Sequence, residues 1–249
     1  MTCPAHELLA RWDTQQSAYI AHREARFNVV LDTLSLLYGD DFQVLDLGCG
    51  PGSFSQRLLN RFPQVRVTAL DLDPLLLAIA RQALEGQQDR IRFIHADMSE
   101  PGWVTALPDT PRAIVSSTAI HWLMPEQQAV LYRTLRELLA PGGILLNADH
   151  QRFSPHHPQQ KQLAEAHDKL TQQQAFAAGA QSWDSWFADA SACETLQAQL
   201  PERARLFAGR PVPPATTVGF QLALLQQAGF FETGTLWQYL DDYVIAGWK

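Results

Sequence analysis

A chain of 249 residues with 46% in the hydrophobic set has enough apolar material for a sizeable core, as one large domain or two small ones. Its formal net charge of -7 argues against a protein that grips phosphate backbones, because nucleic-acid affinity comes mostly from a basic face. MTCPAHELLARWDTQQ has no signal-peptide pattern and no run approaches the roughly 18 apolar residues that span a bilayer, so a soluble, cytoplasmic protein with no membrane partner is expected.

Residues 14–38 read as one helix, with Tyr19, Ile20, Phe27, Val30, Leu31 and Leu34 at helical spacing and Gly39 as the stop. Gln43 to Leu47 is a short apolar run ending at Gly48, and a helix pattern follows from Ser53 to Arg61. Val65 to Leu70 is a second strand closed by Asp71, and Pro74 opens a helix reaching about Leu84. Ile91 to Ile94 and Ala113 to Ser116 are the third and fourth strands; a helix from Glu126 to Ala140, a turn at Pro141-Gly142-Gly143 and a fifth strand, Ile144 to Ala148, follow. Strands alternating with helices, each strand apolar throughout, predict a doubly wound α/β fold with a parallel sheet covered on both faces.

From about Gln151 to Pro214 the rhythm breaks into a Gln- and Ala-rich helical insertion ending in Arg210-Pro211-Val212-Pro213-Pro214, placed over the sheet edge where ligands bind. A helix from about Thr216 to Ala228 and two strands, Thr235 to Leu240 and Tyr243 to Gly247, complete the chain, and their short link demands an antiparallel hairpin. The expected division is a single domain over 1–249, made of an N-terminal helical cap (1–40), a ligand-binding core (41–150), the insertion (151–214) and a closing helix and hairpin (215–249). Cys3, Cys49 and Cys193, odd in number and far apart, fit neither a disulfide framework nor a zinc site, and predict a reducing compartment.

The first strand runs into Gly48-Cys49-Gly50-Pro51-Gly52-Ser53. Glycines there allow turn geometry closed to other residues and let a ligand lie on bare backbone. The segment lacks the G-K-[ST] of a P-loop, and Ser53 stands where a dinucleotide loop has its third glycine. An uncharged nucleoside suits it better, with Asp71, at the end of the second strand, accepting from both ribose hydroxyls.

Asp46-Leu47-Gly48-Cys49-Gly50-Pro51-Gly52, Ala69-Leu70-Asp71-Leu72-Asp73-Pro74, Ala96-Asp97-Met98 and Leu139-Ala140-Pro141-Gly142-Gly143 resemble four successive motifs of class I, Rossmann-like methyltransferases dependent on S-adenosyl-L-methionine, in that family's order. The resemblance implies a seven-stranded sheet of order 3-2-1-4-5-7-6 with the last strand antiparallel. It implies that Asp46 and Gly48, Cys49, Gly50 and Gly52 hold the methionine part of the cofactor. Asp71 would hold the ribose, Leu72 would pack on the adenine, Asp97 and Met98 would take the adenine edge, and Ser116 would join the cofactor-binding set. Read from residue type alone, Asp73 before Pro74 is a helix N-cap and Cys49 a small apolar filler.

After the fourth strand, Ser116-Ser117-Thr118-Ala119-Ile120-His121-Trp122 lacks the Asn/Asp-Pro-Pro-Tyr run of adenine and glutamine N-methylating enzymes and the Pro-Cys of cytosine C5 enzymes. Ile120-His121-Trp122 is similar to a run in small-acid carboxyl methyltransferases of the trans-aconitate and juvenile-hormone-acid types. In that reading Trp122 offers an N–H to an acceptor carboxylate, which needs no general base. Alternatively His121, or His150 beyond the fifth strand, removes a proton from a hydroxyl or amine. Packing is a further use for His121 and Trp122, and a non-catalytic cofactor-binding regulator is an alternative of another class. Tyr19, Arg23 and Arg26 read as a solvated helix face, with an arginine pairing a carboxylate of cofactor or substrate as the alternative; His156-His157 reads as an exposed pair rather than a metal site, and Trp183, Trp186 and Phe187 as the insertion's own core, with an apolar acceptor wall as the alternative. A small-molecule acceptor is the expected partner; the sequence is silent on oligomeric state.

Overall fold

The single helix expected over residues 14–38 is two helices. In the computed structural model, which describes residues 3–249, α1 (Ala5–Ser17) and α2 (Arg23–Tyr38) flank a turn at 18–22. No glycine or proline marks the break. Instead the last turn of α1 tightens, with Ala18 N–H donating to Gln15 O, and Ala18 and Ile20 are buried within the turn. α1 also begins earlier than expected, because Ala5, Leu8, Leu9 and Trp12 form its buried stripe.

The strands are β1 (Gln43–Leu47), β2 (Arg66–Asp71), β3 (Ile91–His95), β4 (Ala113–Ser117), β5 (Ile144–His150), β6 (Glu232–Tyr239) and β7 (Asp242–Trp248), ordered β3-β2-β1-β4-β5-β7-β6. β1 to β5 pair in parallel, and β7 runs antiparallel to β5 and β6. α2, α3 (Ser53–Arg61), α4 (Pro74–Ala83), α5 (Pro125–Leu138) and α9 (Val218–Gln227) cover the sheet. One core lies under Phe27, Phe54 and Phe62, the other under Tyr132, Leu135 and Leu225. Alternate strand residues feed opposite faces, so every β1–β5 position must be apolar or satisfied.

The insertion carries α6 (Pro158–Ala177), α7 (Trp183–Ser191) and α8 (Leu200–Phe207). α7 does more than lie over a sheet edge. Trp186 is fully buried against Leu8, Trp12, Leu75, Leu76 and Ile79, and its indole N–H donates to Leu8 O at 3.1 Å. The insertion and α1 thus share a small core of their own, stacked on α4. The cysteine expectation is corrected here: Cys3 and Cys193, 190 residues apart, are joined by a disulfide with Cα atoms 5.8 Å apart, leaving Cys49 as the free buried thiol. The bond ties the start of α1 to the end of α7. Among the described residues, no helix is long and apolar enough to cross a membrane.

Candidate active site

Three left-handed glycines shape the loop after β1: Gly48 (φ +76°), Gly50 (φ +55°) and Gly52 (φ +95°). A Cβ on Gly48 would lie 2.3 Å from Ala119 Cβ, so the loop and the segment following β4 touch at this point. Gly48→Ala combines that overlap with a disfavoured φ, at about 2–4 kcal/mol together. The expected result is a melting temperature about 5–10 °C lower in a thermal unfolding scan, and an unchanged midpoint would contradict the contact. Above Gly50 stands Trp12 of α1, whose Cζ2 would meet a Cβ there at 3.9 Å.

Asp71 is held on one edge by the Gly50 N–H on Oδ2 (2.7 Å) and the Asp73 N–H on Oδ1 (2.8 Å). Each carboxylate oxygen keeps acceptor capacity, which suits a vicinal diol. Burial pushes its pKa up to about 6 against these two bonds, with the Asp73 charge adding to the rise. Asp46 lies beneath the loop and accepts from Ser55 Oγ at 2.6 Å; burial, opposed by Ser55 and helped by the Asp71 charge, raises its pKa to about 7. Cys49 is buried with its thiol pKa pushed well up, as an inert filler would be. Asp73 caps α4 by accepting from the Leu75 and Leu76 N–H groups, as its place before Pro74 implied.

Leu72 is half-buried and its carbonyl meets His95 Nε2 at 2.8 Å; the Met98 side chain reaches to within 3.9 Å of the Gly48 position. Asp97 takes the Ser99 N–H and hydroxyl and pairs with Arg210 of the proline-rich segment. Partial burial works against its charge, but Ser99 and Arg210 hold the carboxyl below its usual range. Ser116 is fully buried and donates its hydroxyl to Leu47 O at 2.8 Å, stitching β4 to β1.

The solvated reading of the N-terminal arginines is overturned. Arg23 is 7% exposed and Arg26 fully buried, each aimed inward by α2. Arg23 donates to Asp13 Oδ1 at 2.6 Å, and Asp13 also takes Ser53 Oγ at 2.7 Å, which draws α1 and α2 onto the start of α3. Arg23 Nε, also buried, has no protein partner. Trp12, Asp13 and Arg210 escaped the sequence reading, since nothing local ties them to a loop 35 or more residues away.

At the other side of the loop, Thr118 takes φ +51°, a conformation a β-branched residue adopts at a cost of about 1–2 kcal/mol. It turns the chain into a single 3-10 turn, Ile120–Trp122, pinned by fully buried Ile120. His121 Nδ1 lies 2.7 Å from Asp149 Oδ1, and the His121 N–H reaches Asp149 Oδ2 at 3.3 Å. Asp149, at the end of β5, is fully buried; burial opposes its charge, but His121, His150 and Arg26 hold its carboxyl below the ordinary value. With Nδ1 engaged by the carboxylate, Nε2 is the ring nitrogen left for a proton. Trp122 is 59% exposed, which speaks against a core role. His150 is a poor base, its pKa lowered to about 4 by burial and by Arg26 and Arg152. The signal for Asp149 was present: an acid near the end of a mostly apolar strand. His156 and His157 are exposed, and no cluster of metal-ligating side chains occurs among the described residues.

Residues 44–143 match a family model described as a methyltransferase domain. Malonyl-[acyl-carrier protein] O-methyltransferase of Paenibacillus sp. (strain JDR-2) is 37% identical over 106 residues, covering 42% of this chain and 37% of the relative. Trans-aconitate 2-methyltransferase of Azoarcus sp. (strain BH72) is 36% identical over 135 residues, covering 54% and 49%. The chain therefore spans about half the length, or less, of the curated relatives it matches. The structure of human N-acetylserotonin methyltransferase in complex with SAM aligns over 96% of this chain and 55% of that one, with TM-score 0.56 and 16% identity, a likeness of fold. Over residues 44–143 the chain is similar to the methyltransferase domain family, and its seven-stranded sheet has the order that the resemblance to class I S-adenosylmethionine-dependent methyltransferases implied.

Proposed function

We propose that the chain transfers a methyl group from S-adenosylmethionine to a hydroxyl or amine of a small molecule, with His121 as the base. The residues present fit the cofactor. The Asp71 carboxylate, oriented by Gly50 and Asp73, would hold the ribose diol, and Leu72, Asp97 and Met98 would bound the adenine. The Gly48–Gly52 backbone over Asp46 would carry the methionine part, and the partnerless Arg23 Nε beside the start of α3 suits its carboxylate. When bound, the cofactor supplies an electrophilic methyl on a sulfonium.

The observation that carries the choice of acceptor is the 2.7 Å contact between His121 and buried Asp149, two residues past the Ala119 that abuts Gly48. As an acceptor oxygen or nitrogen forms its bond to the methyl carbon, its proton passes to His121 Nε2. Asp149 fixes the tautomer and offsets the charge of the imidazolium. Trp122 forms one wall. The cap over 1–40 and the insertion over 151–214 would exclude water from above.

Carboxylate methylation is the second reading, favoured by relatives named for acid substrates and by the exposed Trp122 indole. Such an acceptor is already ionised at neutral pH and needs no base. Release of S-adenosylhomocysteine across a panel of phenols, alcohols, amines and carboxylic acids tests both. Product from phenols or amines supports His121 as base, methyl esters alone favour the second reading, and no release from any class favours a non-catalytic binder.

A further inference from the structure

Beside Asp149, where β5 meets the β6–β7 hairpin, the surface forms a recess walled by rings. His22 lies 4.1 Å from Tyr239 and 6.2 Å from His167, centroid to centroid, and His167 lies 5.2 Å from Tyr239. Asp168, Asp241 and Asp242 share the lining, with His150 among them, and no lysine or arginine does. Resting on the methyl-transfer reading, we propose that this recess seats a positively charged nitrogen of the acceptor, so that the enzyme takes amine-bearing small molecules and rejects polyanions.

The charge balance supports this. Two guanidiniums pair with the lining acids: Arg152 bridges Asp241 (2.6 Å) and Asp168 (3.2 Å), and Arg26 holds Asp242 (2.5 Å) through Nη1, with its Nε and Nη2 unpartnered. They face three lining carboxylates with a fourth, Asp149, adjoining. The surplus is felt by the acids. Burial raises the carboxyls of Asp168 and Asp242, the latter to about 6, against the lowering by Arg152 and Arg26; the Asp241 charge adds to both rises and the Asp149 charge to that of Asp242. A bound cation offsets the repulsion among these carboxylates, and ring faces attract it as well. His150 Nδ1 has no hydrogen-bond partner, so it can accept from an ammonium N–H. A trianion would meet the same carboxylates as repulsion. His150 of the lining follows Asp149, which bonds His121, so the recess adjoins the proposed base.

Three probes sharing one phenol separate the charge term: tyramine, 4-ethylphenol and 3-(4-hydroxyphenyl)propionate, with trans-aconitate as a polyanion. Binding is read by NMR titration of the full chain, with and without S-adenosylhomocysteine. Tyramine is expected to bind about tenfold or more tighter than the propionate. In Asp168→Asn and Tyr239→Leu that preference should fall below about threefold. The proposal is overturned if tyramine shows no binding, if the propionate or trans-aconitate binds as well as tyramine, or if the preference survives both substitutions. Absence of S-adenosylhomocysteine binding in the same samples would sink the methyl-transfer reading instead, and the charge preference is still read without it.

Discussion

Asp71→Ala should raise the dissociation constant for S-adenosylhomocysteine at least about 100-fold, because two hydroxyl-to-carboxylate hydrogen bonds are lost at roughly 1.5–3 kcal/mol each. The same change frees the Gly50 N–H, now held by Asp71, so the loop loses an anchor together with the ligand contact. pH supplies a second signature. The carboxyl pKa is raised to about 6, and ribose hydroxyls donate only to the ionised form. Affinity is therefore level well above pH 6 and weakens as pH falls through it, approaching tenfold per unit. The raised pKa also means that the free protein binds the Asp71 proton more tightly than the unfolded chain does. Stability contributed by protonated Asp71 is thus present at low pH and lost as pH rises from about 4 to about 6. Calorimetric titration at pH 5, 6 and 7.5 checks these points. An Asp71→Ala constant within threefold of the parent would contradict the ribose assignment.

The second large effect concerns His121. Removing a positioned base costs about 10²–10⁴-fold in kcat, so His121→Ala should lose that much with phenols or amines while binding the cofactor normally. The loss should shrink at high pH, as the acceptor ionises without help. Asp149→Asn keeps the shape but removes the charge that supports the imidazolium; a charge-assisted bond of about 1.5–3 kcal/mol corresponds to roughly 10–100-fold in kcat with little change in cofactor affinity. A merely structural Asp149 would instead lower stability and leave the pH profile of the remaining activity in place. If His121→Ala costs less than tenfold on every acceptor, the base role fails and carboxylate methylation becomes the better account.

Much of the architecture was legible because its signals are local. Mostly apolar runs such as Val44–Leu47 and Ile144–Ala148 read as strands buried on both faces, and Asp73-Pro74 reads as a helix start. The loop glycines follow β1 directly and Asp71 closes the neighbouring β2, so each is marked by its place at a strand end. What stayed hidden depends on distant partners or on subtle breaks. The apolar periodicity of residues 14–38 runs on across the turn at 18–22, so the chain reads as one helix. Arg23 and Arg26 look solvated on a helical wheel, and only Asp13 and Asp242 explain their burial. The Arg210–Asp97 and Cys3–Cys193 pairs join the insertion to the core or to the cap across more than 100 residues, a distance at which spacing says nothing. Asp149 sits in between: the sequence shows the acid at the strand end, but its bond to His121 comes from the turn that Thr118 permits.

The central claim is that a nucleoside rests on residues 48–52 with its sugar on Asp71. Its most direct test is a crystal structure of the chain grown with S-adenosylhomocysteine. The predicted density places both ribose hydroxyls within hydrogen-bonding distance of Asp71, the adenine beside Leu72 and Asp97, and the sulfur on the side of the loop facing His121. Well-defined ligand density elsewhere, with the Asp71 carboxylate bonded only to Gly50 and Asp73, would contradict it.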